Sequence, residues 1–149
     1  MQIITDSAKE TEGLGKRLAK FLQGKDIICL FGQLGSGKTT FIKGLAAGLG
    51  VKKIEVSSPS FILMRKYKGR LPLYHFDLYR IKDSAELCDI GYEEFVFDAA
   101  VSVIEWADRM KELLPKDYLR IDFTFVDSNK RQIKFNAKSK YYRDLIKRL

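Results

Sequence analysis

The amino-acid sequence predicts an α/β fold of three layers (α/β/α), with a mostly parallel central sheet between helices and antiparallel strands at its edge. Three observations lead to this prediction. An unbroken apolar run at Ile27–Phe31 is typical of a strand that is buried on both faces. The glycine-rich segment after it opens into a segment whose apolar residues have helical spacing. Two alternating segments near the C-terminus are typical of antiparallel strands with one polar face.

Length and composition favour one folded domain over residues 1–149. Hydrophobic residues make up 46% of the chain, which is enough for a core and argues against disorder. No apolar run is long enough to cross a membrane, and the first residues lack the pattern of a signal peptide. Two separated cysteines, Cys29 and Cys88, are interpreted as reduced packing residues. We therefore expect a cytoplasmic protein.

The N-terminal region predicts a strand and a helix before the apolar run. Residues 3–5 suit a short edge strand. Ser7 and Glu10 form the pattern of a capping box, in which Ser7 caps a helix and Glu10 reaches back. Leu14 and Leu18 lie on one apolar stripe, and Gly24 is the predicted end of this helix.

Residues 32–39 fit G-x-x-x-x-G-K-[ST], the phosphate-binding P-loop. The strand before them and the helix predicted over 39–49 are the context that this motif requires. Glycines allow successive backbone N–H groups to face phosphate oxygens, Lys38 would bridge the β- and γ-phosphates, and Thr39 would be a Mg²⁺ ligand. We therefore predict a P-loop NTPase-like domain that binds ATP or ADP and Mg²⁺, with nucleotide contacts from Gly32, Leu34, Gly35, Ser36, Gly37, Lys38, Thr39 and Thr40.

The segment after the P-loop helix has a Ser-Ser-Pro-Ser cluster that indicates a loop. In P-loop enzymes this segment often folds over the γ-phosphate as a switch. Ser57, Ser58 or Ser60 would then supply a hydroxyl. An ordinary turn is the other interpretation, and the sequence favours it.

Residues 61–67 and 73–80 predict a β-hairpin with a basic tip. In the second strand, alternation places His75, Asp77 and Tyr79 on one face. The single histidine and an acid on a shared face form a candidate site. A solvated strand face is the alternative.

Residues 99–106 form an apolar strand that ends in an acid, Glu105. In P-loop proteins a carboxylate at the C-terminal end of such a strand lies beside the P-loop, where it can hold Mg²⁺ directly or through water. Between this strand and the hairpin, Asp83 is the predicted cap of a short helix that breaks near Gly91, and a further helical segment covers 92–97.

The C-terminal region predicts a helix over 106–111, an antiparallel pair over 118–126 and 132–136 at one sheet edge, and a closing helix over 141–149. From Ser128 onward there are eight Lys and Arg residues and one acid, in a chain whose net charge is +8. Such a basic face attracts phosphates, including those of tRNA, or an acidic protein surface. A solubilising surface is an equally good interpretation.

Taken in order, these motifs resemble the TsaE (YjeE) family of small bacterial P-loop ATPases. The resemblance covers residues 7–109. Its most specific part is the His-x-Asp-x-Tyr-Arg element at 75–80, and the other landmarks are the P-loop at 31–41, Ser58-Pro59-Ser60-Phe61, Gly91 and Ile104-Glu105-Trp106. The family usually has Thr at the position of Ser60 and Pro at that of Ala107.

The resemblance implies a role in making N6-threonylcarbamoyladenosine (t6A) in tRNA, together with the transferase proteins TsaD and TsaB. From the motifs together with the resemblance we expect catalytic roles for Lys38, Asp77 and Glu105, a metal site formed by Thr39, Glu105 and Asp77, and nucleotide contacts from Thr11 and Ser60. Slow hydrolysis by the isolated chain is expected, because no arginine finger is evident from the sequence and a partner often completes such a site. Arg80 and Arg109 are candidates for that role.

Three other interpretations remain. A small P-loop kinase would use the basic residues Arg65, Lys66, Lys68 and Arg70 as a lid over an acceptor. A nucleotide-dependent adaptor would use the same P-loop for binding. A GTPase is disfavoured because the sequence has no Asn-Lys-x-Asp element for reading guanine. The sequence leaves the oligomeric state open.

Overall fold

The computed structural model describes residues 1–52, 63–89, 91–96 and 98–149. Its strands form one seven-stranded sheet in the order β1-β7-β6-β2-β5-β4-β3. The strands are β1 (Gln2–Thr5), β2 (Ile27–Phe31), β3 (Met64–Tyr67), β4 (Leu73–Asp77), β5 (Val101–Glu105), β6 (Leu119–Phe125) and β7 (Arg131–Asn136). The helices are α1 (Ala8–Ala19), α2 (Lys38–Gly48), α3 (Ala85–Asp89), α4 (Tyr92–Val96) and α5 (Lys140–Ile146), with a 3₁₀ helix at Ala107–Leu113.

The centre of the sheet is parallel and both edges are antiparallel. Strands β6, β2, β5 and β4 are parallel neighbours, whereas β3 is antiparallel to β4, and β7 is antiparallel to β6 and β1. The sequence predicted the β6–β7 pair correctly but placed it at one edge. That placement was wrong by one strand, because β1 pairs with β7 and forms the edge itself. The predicted edge strand β1 is confirmed.

Helices cover both faces of the sheet, which confirms the three layers. Residues of β2 alternate between two apolar cores, and this explains its unbroken apolar sequence. Ile28 and Leu30 pack with residues of α1, α2 and α5. Ile27 and Cys29 pack with residues of α3, α4 and the 3₁₀ helix.

Helix α1 begins as predicted and ends earlier. The Ser7 hydroxyl accepts a hydrogen bond from Glu10 N (3.1 Å), and the Glu10 carboxylate accepts one from Asp6 N (2.9 Å). The helix ends at Ala19 with Lys20 as its C-cap, so the prediction that Gly24 ends it was wrong. Helices α1 and α2 approach closely at Gly44, where a Cβ atom would lie 1.9 Å from Glu12 O.

Strand β4 differs most from its prediction. The antiparallel hairpin with β3 is confirmed, but all five residues of β4 are buried and the strand ends at Asp77. The reason is that both faces of β4 pack into a core, Leu73 into one and Tyr74 and Phe76 into the other. The face that carries His75 and Asp77 is therefore buried, and the alternative of a solvated face was wrong.

Two smaller predictions can also be checked. Cys29 is buried in β2 as predicted, but Cys88 is exposed on α3, so its interpretation as a packing residue was wrong. In the part of the chain that the structure describes, no helix is both long and apolar enough to cross a membrane.

Candidate active site

A cleft of about 450 Å³ lies at the C-terminal edge of the parallel strands. Strands β4 and β5 end there in Asp77 and Glu105, and α2 begins there at Lys38. In open α/β sheets ligands bind at this edge. A helix N-terminus at the same place favours anions, since it directs backbone N–H groups and a partial positive charge at them.

Two glycines allow the loop between β2 and α2 to take its shape. Gly37 caps α2 with φ +103°, a conformation that residues with a Cβ rarely adopt. Gly32 has φ +139°, and a Cβ there would lie 2.4 Å from Phe123 O on β6. The loop thus packs tightly against the neighbouring strand, and this explains why the motif needs glycine at both positions.

The ammonium group of Lys38 is buried inside this loop. Its Nζ donates hydrogen bonds to Gly32 O (2.7 Å) and Gln33 O (2.9 Å), and it lies 4.1 Å from the centre of the Trp106 ring. Burial lowers the pKa of Lys38, while the negative charges of Glu105, Asp77 and Asp108 oppose that shift. The cleft therefore holds a cation close to two carboxylates of its own.

The Glu105 carboxylate contacts a residue on each side. On the cleft side, the Thr39 hydroxyl donates to it, with Oγ1 3.0 Å from Oε2 and 3.3 Å from Oε1. On the inner side, His75 Nε2 lies 2.8 Å from Oε1. The side chains of His75 and Glu105 are only 0% and 3% exposed, so water does not compete for this contact.

Asp77 stands next to Glu105 because of sheet register. The two residues are paired across β4 and β5, and neighbours in register project to the same face. Asp77 Oδ1 accepts a hydrogen bond from Tyr79 N (3.1 Å). This register explains how carboxylates from separate segments meet in one cleft.

The donor set fits a hard cation such as Mg²⁺. Hydroxyl and carboxylate oxygens are the ligands that Mg²⁺ prefers, and it usually takes few of them from protein because phosphates and waters complete its shell. Thr39 and Glu105 provide such a pair in direct contact. Among the described residues, no group of three or more His, Cys, Asp and Glu side chains could hold a metal ion, so water and phosphate would have to complete the shell.

Most of the predicted site residues line this cleft. The ones that do so are Thr11, Leu34, Gly35, Ser36, Gly37, Lys38, Thr39, Thr40, Asp77 and Glu105. Gly32 does not line it and instead supplies the carbonyl oxygen that Lys38 binds. Ser60, with Ser57 and Ser58, lies outside the described residues.

The arginine-finger candidates lie in different places. Arg80 lines the cleft. The Arg109 guanidinium donates to Ile81 O (3.4 Å), and Arg109 is not among the described residues that line the cleft.

The resemblance indicated the segment around Thr11 and the turn near Lys130 as parts of the adenine pocket, but it did not single out Ala8 and Arg131, which also line the cleft. The Arg131 side chain lies close to Gly37, and a Cβ atom at Gly37 would be 3.6 Å from it. The Arg131 guanidinium donates hydrogen bonds to Asp127 O (2.7 Å) and Lys130 O (3.0 Å) in the β6–β7 turn. Arg131 belongs to the basic C-terminal stretch, where no local pattern sets it apart. Only the position of β6 beside β2 brings the turn to the loop.

Comparisons with known proteins identify relatives of this chain. The model of the family described as "Threonylcarbamoyl adenosine biosynthesis protein TsaE" matches residues 5–133. The chain is 40% identical to the tRNA threonylcarbamoyladenosine biosynthesis protein TsaE of Bacillus subtilis over 146 residues, which cover 97% of this chain and 90% of that protein.

A second relative and a solved structure are also similar to this chain. The TsaE protein of Aquifex aeolicus is 38% identical over 141 residues, covering 92% of this chain and 96% of that one. The crystal structure of YdiB from Bacillus subtilis superposes with a TM-score of 0.84 at 34% identity, covering 99% of this chain and 91% of that one.

Proposed function

The chain belongs to the TsaE family, and from that membership and the chemistry of the cleft we propose that it is a Mg²⁺-dependent ATPase that serves t6A formation in tRNA. One observation carries the ATPase part of the proposal. Lys38, Thr39, Asp77 and Glu105 meet in one cleft at the N-terminus of α2. A cation, a hydroxyl and two carboxylates around a phosphate-binding loop are the groups that phosphoryl transfer to water requires.

Binding of the phosphates falls to the loop and to α2. Backbone N–H groups at the start of α2 and the Lys38 ammonium supply positive charge. Lys38 binds two carbonyl oxygens of its own loop. We propose that it exchanges these for phosphate oxygens when ATP enters, an exchange favoured because an anion is a stronger acceptor than a carbonyl.

Thr39 and Glu105 would hold the Mg²⁺ ion. When bound, Mg²⁺ would neutralise charge on the phosphates and on the leaving group. Asp77, beside Glu105 in the sheet, would orient the attacking water or a water of the metal shell. Such catalysis depends on positioning and electrostatics, so the rigid, buried ends of β4 and β5 suit it.

The partners proposed for this ATPase are TsaD and TsaB. Arg80 and Arg131 are the arginines among the described residues that line the cleft, and hydrolysis by the chain alone should be slow unless one of them or a partner completes the site. The contact between the basic C-terminal stretch and tRNA stays a prediction. A steep fall of tRNA affinity with salt concentration would support it, and salt-independent binding would contradict it.

The kinase alternative finds less support in the geometry. Arg70 donates to Ala19 O (2.8 Å), and Lys66 lies over the rings of Tyr74 (5.1 Å) and Phe95 (4.5 Å). None of the four basic residues assigned to a lid is among the described residues that line the cleft. A nucleotide-dependent adaptor remains an alternative, because binding and slow hydrolysis use the same residues.

Reconstituted tRNA modification tests the proposal. The measurement is the number of modified adenosines formed per TsaD–TsaB complex. Three reactions are compared: one with the wild-type chain, one with Lys38→Ala and one without the chain. We expect many turnovers only with the wild type. Equal product in all three reactions would contradict the proposal, and phosphate transfer from ATP to an added acceptor would favour the kinase.

A further inference from the structure

The deepest contact of the site joins Glu105 to His75, on the side away from the cleft. Nε2 and Oε1 are 2.8 Å apart. Carboxylate oxygens accept hydrogen bonds, so this contact favours the tautomer of His75 that carries its proton on Nε2. His75 is fully buried and is not among the described residues that line the cleft. It can therefore influence bound ligands only through another residue.

The sheet fixes the direction of this contact. His75 pairs with Val103 and Asp77 pairs with Glu105, so His75 lies two residues behind the carboxylates on the same face. Thr39 approaches the same carboxylate from α2. The Glu105 carboxylate is thus held between an imidazole N–H and a hydroxyl, and its remaining rotational freedom is small.

The second ring nitrogen supports the same interpretation. Nδ1 is buried and has no hydrogen-bond partner among the residues that the structure describes. One bond, from Nε2, therefore decides both the orientation and the tautomer of the ring. If the role of His75 were only to fill space, an apolar side chain would avoid the cost of a buried polar atom without a partner.

We propose that His75 is a positioning residue for the metal site, whose Nε2–H fixes the Glu105 carboxylate in the orientation that faces Thr39. The inference rests on the proposed function, since it assigns Glu105 to Mg²⁺. Groups that hydrogen-bond to metal ligands orient them and raise their basicity, and loss of such a group typically costs roughly 10- to 100-fold in metal affinity or activity.

The first test needs no activity. The chain has a single histidine, so ¹⁵N-labelled histidine gives one pair of ring signals in an NMR spectrum. We expect the Nε2–H tautomer in the wild type and loss of that preference in Glu105→Leu. A protonated Nδ1 with a bare Nε2 in the wild type would overturn the inference.

The second test uses two substitutions that differ in reach. In His75→Gln the side-chain amide nitrogen would lie near the position of Nε2 of the histidine. In His75→Asn the amide nitrogen would lie near the position of Nδ1, and the shorter side chain would not reach Glu105. We expect His75→Asn to raise the Mg²⁺ concentration for half-maximal ATP hydrolysis by about 10- to 100-fold. His75→Gln should stay within about threefold of wild type, and ATP binding without Mg²⁺ should be unchanged in both variants.

The Glu105→Leu background separates positioning from folding, because Leu cannot accept the hydrogen bond from His75. If His75 acts through Glu105, adding His75→Asn to Glu105→Leu should cause no further loss. Equal Mg²⁺ dependence in wild type, His75→Asn and His75→Gln would overturn the inference while the ATPase proposal stands. A wild-type chain that does not hydrolyse ATP would overturn the ATPase proposal, and the NMR measurement would still decide whether the His75–Glu105 bond exists.

Discussion

At the scale of single residues, the tasks that we propose for the two carboxylates of the cleft can be tested separately. Asp77 faces the cleft and Glu105 is clamped by Thr39 and His75. We expect Asp77→Asn to lower kcat of ATP hydrolysis by about 10²-fold or more, the contribution typical of a residue that orients or deprotonates the nucleophile. Folding should persist, because the Asn oxygen can still accept from Tyr79 N.

Asp108→Asn is the matched control for this prediction. Asp108 also acts on the charge state of Lys38, but it is exposed and is not among the described residues lining the cleft. The rate of ATP hydrolysis by Asp108→Asn should stay within about threefold of the wild-type rate, because most surface substitutions have small effects. Wild-type hydrolysis by Asp77→Asn, with the partners present, would show that Asp77 has no catalytic role.

The sequence identified Lys38, Thr39, Asp77 and Glu105 because each has a local signal. The first two belong to a motif with fixed spacing, Glu105 ends an apolar strand, and alternation places Asp77 beside His75. Two features of the site have no local signal in the sequence. One is the contact of His75 with Glu105, and the other is the position of Arg131 beside the loop between β2 and α2. Both depend on which strands become neighbours.

At the scale of elements, the packing of α1 on α2 depends on glycines. A Cβ at Gly44 would lie 1.9 Å from Glu12 O, and backbone at that distance must move. Gly44→Ala should therefore destabilise the protein by about 1–3 kcal/mol, as overpacking does. Since α1 carries Thr11 into the cleft, nucleotide affinity should fall as well.

Gly13→Ala provides the control within α1. No described atom lies within 4 Å of a Cβ at Gly13, so the substitution should stabilise by about 0.5–1 kcal/mol through the restricted unfolded chain. Urea unfolding measures both variants. Equal effects of the two substitutions would show that the close approach of the helices is unimportant.

The element boundaries were predicted well where a side chain marks them and poorly where pairing decides them. Ser7 marks the start of α1, and its hydroxyl makes the predicted capping bond. No residue in β4 or β6 indicates that a parallel strand lies beside it. The sequence therefore predicted β4 only as one strand of a hairpin and β6 only as part of an antiparallel pair at a sheet edge.

At the scale of the whole molecule, Asp26 links the start of β2 to α5. Its carboxylate accepts from Gln23 N (2.7 Å) and from the Tyr141 hydroxyl (3.1 Å). Burial raises the pKa of Asp26 above 3.8, while these hydrogen bonds oppose the shift. A raised pKa means that Asp26 contributes stability at a pH below its unfolded value and that this contribution is lost as pH rises through its folded value.

The pH dependence of unfolding measures this contribution. Asp26→Asn does not titrate, so the free energy of unfolding of the wild type relative to this variant should increase as pH falls from about 7 to about 4. Urea unfolding of both proteins at the two pH values gives the comparison. If the difference in free energy of unfolding between the two proteins stays constant with pH, burial does not raise the pKa of Asp26.

We propose that the cleft hydrolyses ATP in the service of a partner complex. The most direct test of this proposal is the rate of phosphate release from Mg²⁺-ATP by the purified chain, alone and with TsaD and TsaB, with Lys38→Ala as the blank. We expect slow release by the chain alone, strong stimulation by the partners, and a loss of at least about 10²-fold in Lys38→Ala, because a principal charge that stabilises the transition state is gone. Equal rates for wild type and Lys38→Ala, or no change on adding the partners, would contradict the proposal.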